Sequence, residues 1–494
     1  MTWRPNGRAR LVTARNGAGV LAGALVASLI GVTAPVGAAH AAAHSSLPPR
    51  ITQSGGVSPH AALGTPQLDS RPKNLEVVRQ LVQCGGTMYA VGKFTTISRG
   101  STVYTRNNIF SFGAKQPHAV TSWAPDVNGQ VNSIAFNGTN CADAYIGGQF
   151  TSVNGTAVEN IAEISTASGN VISTFGHSAN YPIWSIQPAK GHLLVGGDFR
   201  YINGSKDPYM ASLNPATGKD DGFLNLNISG DYHYCAKGGK PCTAAGNHSE
   251  VYNQQLSHGG TLDLVEGHFT SVGGQHREQI FMLNVGGSKA TVTGWTSPQW
   301  DGSNPGADPY YQCWPREAFY IRTAAWSPSD STIYLATTGF HPAQNTATGR
   351  AKRTGLCDSV TAWPATQTSQ PTYNWINYAG CDSFYSVSAD GAAVYAAGHP
   401  RWAYNTYGCN LEGNGAVPDF GLWGLNPANG NLELNSKGTA MYTMSRDNAG
   451  RMLITHAGLW IASDNRNFIN MCGDLTGPAG HNAAGHAGIC YLPY

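Results

Sequence analysis

Short apolar runs with two-residue alternation are cut apart along the chain by Gly, Asn, Asp and Pro, which favours strands over helices throughout. One such run ends in Gly, any residue, Phe four times, at Val91 to Phe94, Gly147 to Phe150, Gly196 to Phe199 and Glu266 to Phe269. A strand-like segment and a turn precede it, as from Val131, Ile183 and Val251, and a second alternating segment follows, as from Asn160, Tyr209 and Gln279. An aromatic residue then marks a further strand: Trp123, Phe175, Phe223 or Trp295. Turn pairs such as Asn137-Gly138, Asp390-Gly391 and Asn429-Gly430 supply the reversals. The repeating unit is therefore four short strands.

The same order continues in weaker spelling up to Phe340, His399 and Trp460, which brings the number of units to seven. Successive markers lie about 50 to 70 residues apart, long enough for four strands with loops and too long for leucine-rich or ankyrin repeats. The expected fold is all-β, a seven-bladed β-propeller with four-stranded blades. The final unit stops at its third strand, Ile489 to Tyr494, so a segment between Arg50 and Arg71 is expected to supply the fourth and close the ring. The expected boundaries are a signal peptide over 1–41, an N-terminal segment with the closing strand over 42–73, and the propeller over 74–494.

The apolar strand ending in Gly-Gly, followed by an alternating strand, a Gly turn and an aromatic strand, resembles kelch-type propellers. Its Gly-Gly-x-Phe form is similar to the short propeller repeats of secreted bacterial proteins, and to those in the extracellular propeller of fungal cell-polarity marker proteins. The resemblance covers about residues 70 to 494 and implies a fold; it brings no family active site with it. Physically, a Gly on the close-packed second strand lets neighbouring blades approach near the axis.

In a four-stranded blade the connections alternate between two faces. One face then carries minimal turns, such as Pro188 to Gly191 and Ser388 to Gly391. The other carries the long connections Asn225 to Glu250, Thr296 to Glu317, His341 to Asp358, Pro400 to Asp419 and Ala462 to Gly488. Long ordered loops on one side of a rigid scaffold are where binding resides.

Composition places the protein outside the membrane. Residues 1 to 18 are Arg-rich and acid-free, Val20 to Val36 is apolar or small, and Ala39-His40-Ala41 suits a signal peptidase. Cleavage removes four arginines and no acid, taking the formal charge from +2 to −2. Nucleic acid and anionic lipid are thereby disfavoured as partners. The mature chain is expected to be a soluble, extracellular or envelope-associated monomer without a membrane span. All ten cysteines follow the cleavage site, and an even number in an exported chain reads as disulfides. The pairs expected from the repeat are Cys84 with Cys141 across adjacent blades, and Cys235 with Cys242, Cys313 with Cys357, Cys381 with Cys409 and Cys472 with Cys490 within long loops.

Two sets of residues are candidates for binding. At the channel mouth, the polar position beside the marker Phe is Lys93, Gln149, Asp198, His268 or His399, with His341 and His456 near the corresponding points. In the long loops, Trp300, Tyr311, Trp314, Arg316, Glu317, Arg401, Trp402 and Tyr404 offer flat rings beside charged groups, which suit the CH faces and hydroxyls of a saccharide. The expected partner is an extracellular glycan or protein. Glu76, Glu250, Glu317 and Asp382 near the starts of inner strands carry one alternative, an acid and base pair for a polysaccharide hydrolase or lyase at the axial mouth, and a structural envelope protein with no saturable ligand is the other. HExxH, GxSxG, phosphate-loop and EF-hand motifs are absent, and no cofactor or metal is expected. The Asn-Gly-Thr and Asn-Gly-Ser triplets at Asn137, Asn154 and Asn203 read as turns rather than glycosylation sites.

Overall fold

A computed structural model describes residues 55–68, 75–230, 249–300, 313, 319–339, 355–366, 371–380, 382–406, 412–442, 451–465 and 487–494. The fold is all-β and propeller-like; among the described residues the only helical element is a 3-10 turn at Pro298–Trp300, and no helix is long and apolar enough to cross a membrane. Seven antiparallel meanders follow one another in sequence. Their first two strands are Val77–Cys84 with Thr87–Lys93, Gln130–Phe136 with Asp143–Gln149, Ile183–Ala189 with His192–Gly197, Glu250–Leu256 with Leu262–His268, Ile321–Trp326 with Thr332–Thr337, Phe384–Ala389 with Val394–Gly398, and Met452–Thr455 with Gly458–Ala462. Third strands run from Ile109–Gly113 in the first sheet to Ile489–Pro493 in the seventh. The outermost strand is regular in the fourth and fifth sheets, at Thr291–Val292 and Trp375–Tyr378. In the first, second, third and sixth it is reduced to single bridges such as Phe112 with Val120 and Ile164 with Val171.

The aromatic marker of the outer strand joins sheets. Trp123 Nε1 donates to the Ser165 carbonyl at 3.2 Å, Trp295 Nε1 to Pro364 at 3.1 Å and Trp375 Nε1 to Pro427 at 2.9 Å, each acceptor lying at or just past the end of the next sheet's third strand. An indole buried for its area still needs a partner for its N–H, and the neighbouring sheet supplies it. Apolar clusters fill the spaces between sheets. One holds Phe110 and Phe112 of the first sheet with Trp460 and Tyr491 of the seventh.

The first and seventh sheets also share backbone bonds. Val78 N–H donates to the Ser463 carbonyl at 2.8 Å and Asn465 N–H to Glu76 at 3.1 Å. The N-terminal segment lies along the seventh sheet's third strand, where Ser58 N–H meets the Pro493 carbonyl at 2.6 Å and Ala62 N–H meets Tyr491 at 2.8 Å. It then pairs Leu68 with Ile97 in the hairpin of Thr96–Arg99 and Thr102–Thr105 that follows the first sheet's second strand, the relationship that Val127 has with Val153 and Ile228 with Val272 further on.

The seventh repeat differs from its expected register. Met452–Thr455 is its first strand and turns at His456-Ala457 into Gly458–Ala462, so His456 sits at the short-turn end, away from the channel mouth.

Two expected disulfides are present, Cys84–Cys141 between adjacent sheets and Cys313–Cys357 at the long-loop end. Cys490 is also disulfide-bonded. Cys235, Cys242, Cys381, Cys409 and Cys472 lie outside the described residues, as does the expected signal peptide.

Candidate functional site: an axial cavity lined by bulge residues

Six of the seven first strands carry a β-bulge at the same step. Their registers slip between Val78 and Gln80, Val131 and Ser133, Ile183 and Ser185, Val251 and Asn253, Ile321 and Thr323, and Phe384 and Ser386. The residues skipped are Arg79, Asn132, Trp184, Tyr252, Arg322 and Tyr385. A bulge takes one side chain out of the strand's alternation and re-aims it. All six line one cavity of about 390 Å³, joined by Arg451, which immediately precedes the first strand of the seventh sheet.

The repeat glycines support this geometry. A Cβ on Gly92, Gly148 or Gly267 would come 1.9, 2.1 and 2.1 Å from the carbonyl oxygens of Val77, Gln130 and Glu250, the strand starts displaced by the bulge. Only Gly permits that approach. The glycine before it has the role expected of it between sheets: a Cβ on Gly147 would lie 2.4 Å from Ile183 Cγ2, and one on Gly196 2.6 Å from Val251 Cγ1.

In four of the six strands the residue after the bulge is bonded to the next sheet at 3.1 Å or less. Gln80 Oε1 accepts from Ile134 N–H at 2.9 Å, Ser133 Oγ from Ile186 N–H at 3.1 Å and Ser386 Oγ from Met452 N–H at 3.0 Å, while Gln254 Nε2 donates to Ser185 Oγ at 2.7 Å. The sequence signature is thus an apolar residue, a variable one and a polar one, as in Ile183-Trp184-Ser185 and Ile321-Arg322-Thr323. It is present in six first strands, yet sequence reasoning missed the bulge residues, because alternation alone assigns the middle position to a sheet face.

The cavity wall is rich in donors. Arg322 stands between two rings, its guanidinium carbon 5.8 Å from the Tyr252 centroid and 5.5 Å from that of Tyr385. Arg322 Nε and Trp184 Nε1 are buried with no hydrogen-bond partner among the described residues. Arg451 reaches across the wall, where Nη2 donates to the Trp184 carbonyl at 3.0 Å and faces the Tyr252 carbonyl at 3.3 Å. Burial lowers the Arg451 pKa to about 10, with Glu266 opposing the shift and Arg79 adding to it. Burial likewise raises the Glu266 carboxyl well above its ordinary range, helped by Asp263 and opposed by Arg451. Glu250, also on the wall, places Oε1 2.7 Å from His268 Nδ1. The His268 ring packs against Tyr252 and Tyr320 at centroid distances of 5.2 and 4.8 Å.

The expected mouth residues occupy one level. Lys93 pairs with Val77, Gln149 with Gln130 and His268 with Glu250; Asp198 N–H donates to the Pro182 carbonyl and His399 N–H to that of Ser383. Of the five, His268 lines the cavity. His399 meets the Tyr385 ring edge-on at 5.1 Å, Asp198 is half-buried, and Lys93 and Gln149 are exposed.

The loop set is brought together only in part. Trp300 is fully buried among Trp295, Trp363 and Phe319; its indole area is spent on the core, which corrects its expected role as a ligand platform. Tyr404 accepts from Leu432 N–H at 2.7 Å through its hydroxyl and ties its own hairpin to the sixth sheet. Arg401 and Trp402 form a half-buried cation–π pair at 4.7 Å, with Arg401 Nε also 2.6 Å from Asp382 Oδ2. Tyr311, Trp314, Arg316 and Glu317 lie outside the described residues. Of the candidate acid and base carboxylates, Asp382 is thus paired with Arg401 and Glu250 with His268, while Glu76 Oε1 accepts from Thr95 N–H at 3.1 Å. No group of three or more His, Cys, Asp and Glu side chains among the described residues is arranged to hold a metal ion.

No family model matches the chain, and no curated protein sequence matches it. Among solved structures it is similar to the β-propeller domain of Cps50 (Swd1) from Myceliophteria thermophila, at 8% identity and TM-score 0.38, over 70% of this chain and 95% of that one. It is also similar to the WD40 repeats of RRP9, at 11% identity and TM-score 0.41, over 88% and 98% of the two chains. A third likeness is to the WD40 propeller domain of Doa1, at 9% identity and TM-score 0.37, over 87% and 97%.

Proposed function

We propose that the protein is a secreted, non-enzymatic, seven-bladed β-propeller that binds an extracellular glycan or protein ligand at its long-loop face, with the ligand entering the axial cavity. One observation carries this reading: every one of the seven sheets contributes a side chain to a single cavity, six of them through a bulge at the same step. Such repetition is costly for packing and useful for presenting side chains to a ligand. Ring closure by the N-terminal segment is supported by its hydrogen bonds to the seventh sheet and by its continuation against Ile97. The Arg-rich, acid-free leader over 1–41 and the disulfides support export.

A glycan array and a pull-down with the mature chain test the binding. A glycan or protein captured by the wild type and lost in Trp184→Ala and Trp402→Ala supports the reading; no saturable ligand, or capture indifferent to both variants, overturns it. The expressed full chain should be released cleaved after Ala41, as read by intact mass.

The Glu250 and His268 pair on the cavity wall favours a second reading, a polysaccharide hydrolase or lyase acting at the axial mouth. Product release from polysaccharides that disappears in Glu250→Gln would replace the binding reading with this one.

A further inference from the structure

The axial cavity has a chemical polarity that specifies its ligand further, and the argument rests on the binding reading above. Its wall carries three guanidinium groups, from Arg79, Arg322 and Arg451. Against them stand the carboxylate of Glu250, held by His268 at 2.7 Å, and Glu266 beneath Arg451. Two donors on the wall, Arg322 Nε and Trp184 Nε1, are buried without an acceptor among the described residues. A buried donor without a partner is destabilising, and a ligand rich in acceptors would satisfy it. Between the donors lie the rings of Trp184, Tyr252 and Tyr385, which suit the CH face of a saturated ring. Arg322 is stacked between two of those rings, and its planar fork matches a carboxylate, which accepts two parallel hydrogen bonds.

We propose that the cavity binds a carboxylate-bearing sugar, a hexuronate unit, with Arg322 on the carboxylate and the aromatic wall on the pyranose. A cavity of about 390 Å³ has room for such a unit, either free or at the end of an acidic polysaccharide. A neutral hexose would leave the Arg322 fork without the planar two-oxygen acceptor it matches, and a bare anion would leave the aromatic wall unused.

Calorimetry on the mature, disulfide-intact protein tests this with D-glucuronate and D-galacturonate, their methyl esters, D-glucose and inorganic phosphate. The expected result is saturable binding of a hexuronate, roughly 10- to 100-fold weaker for its methyl ester and for Arg322→Gln, with Arg322→Lys in between. Trp184→Phe, which keeps a ring but removes Nε1, should lose several-fold. Circular dichroism and the melting temperature identify any variant that has failed to fold; if Arg322→Gln does, the methyl ester comparison on the wild type decides alone. Phosphate binding as tightly as the hexuronate, or the methyl ester as tightly as the acid, would overturn the proposal. Capture of neutral glycans with no hexuronate binding would overturn it while leaving the binding function standing, whereas failure of every glycan and protein probe would remove that function itself.

Discussion

The Tyr442 hydroxyl donates to the Val57 carbonyl at 2.8 Å, joining positions 385 apart in sequence. Tyr395 completes the clasp by accepting from Val57 N–H at 2.9 Å and donating to Asp390 Oδ2 at 2.9 Å. Gly56 fits beneath both rings, where a Cβ would lie 2.7 Å from the Tyr442 hydroxyl. The N-terminal segment is therefore held by buried side-chain bonds as well as by the strand beside it. Tyr395→Phe leaves Val57 N–H without its partner and should destabilise the protein by about 1–3 kcal/mol in urea unfolding. Deleting residues 42–71 should lower the melting temperature and promote aggregation, because the seventh sheet's third strand would present an open edge. An unchanged melting temperature for the deletion would refute the closing role.

The Gly-x-Phe glycine should be intolerant of a single methyl group. Gly148→Ala places Cβ against the Gln130 carbonyl at 2.1 Å, and overpacking of this kind costs about 1–3 kcal/mol. The same change at Gly155, which has open space around it but a positive φ of 76°, serves as a control for backbone strain alone. Thermal unfolding of the two variants separates steric pressure on the bulge from turn conformation.

Removing the Cys84–Cys141 bond should reduce stability by roughly 2–4 kcal/mol through the unfolded chain, without changing ligand affinity. Its two cysteines lie at the short-turn end, the far end of the first strand from Arg79. A paired Cys84→Ser, Cys141→Ser variant, compared by chemical unfolding and by binding, checks both halves of the expectation.

Stability should also carry a pH dependence from Glu163. Burial, and then the Asp143 carboxylate, raise its pKa from 4.5 to about 7, against a hydrogen bond from Tyr145. The folded state therefore holds this proton more tightly than the unfolded chain. The resulting stability is fully present below about pH 4.5 and is lost as pH rises through about 7. Glu163→Gln should flatten that slope in melting curves taken across this window.

The strands, the repeat and two disulfide pairs were legible because each depends on local signals: alternation, turn residues and recurring spacing. Trp300 was misread because an aromatic residue in a long connection has the same sequence appearance whether it packs inward or outward. His456 was misplaced because the two-residue turn His456-Ala457 lacks the glycine that marks its counterparts Gly85-Gly86 and Lys190-Gly191. The cavity stayed hidden for a different reason. Arg79 and Arg322 interrupt apolar runs, and only the pairing of first with second strands reveals that these interruptions are extra residues. Their common direction becomes visible once the sheets stand side by side.

Because each bulge residue is supernumerary to its own strand, it stands outside the alternation that packs the sheets together, although the Asn132 amide still donates to the Ile183 carbonyl at 2.9 Å and the Tyr252 hydroxyl to that of Ile321. The anchoring is done by the residue after it, as Ser133 does for Ile186 and Ser386 for Met452. The wall is thus a set of interchangeable letters on a fixed frame. Exchanging Trp184 or Tyr385 for other side chains should rewrite ligand preference at little cost in folding, which makes the scaffold a natural host for designed recognition libraries.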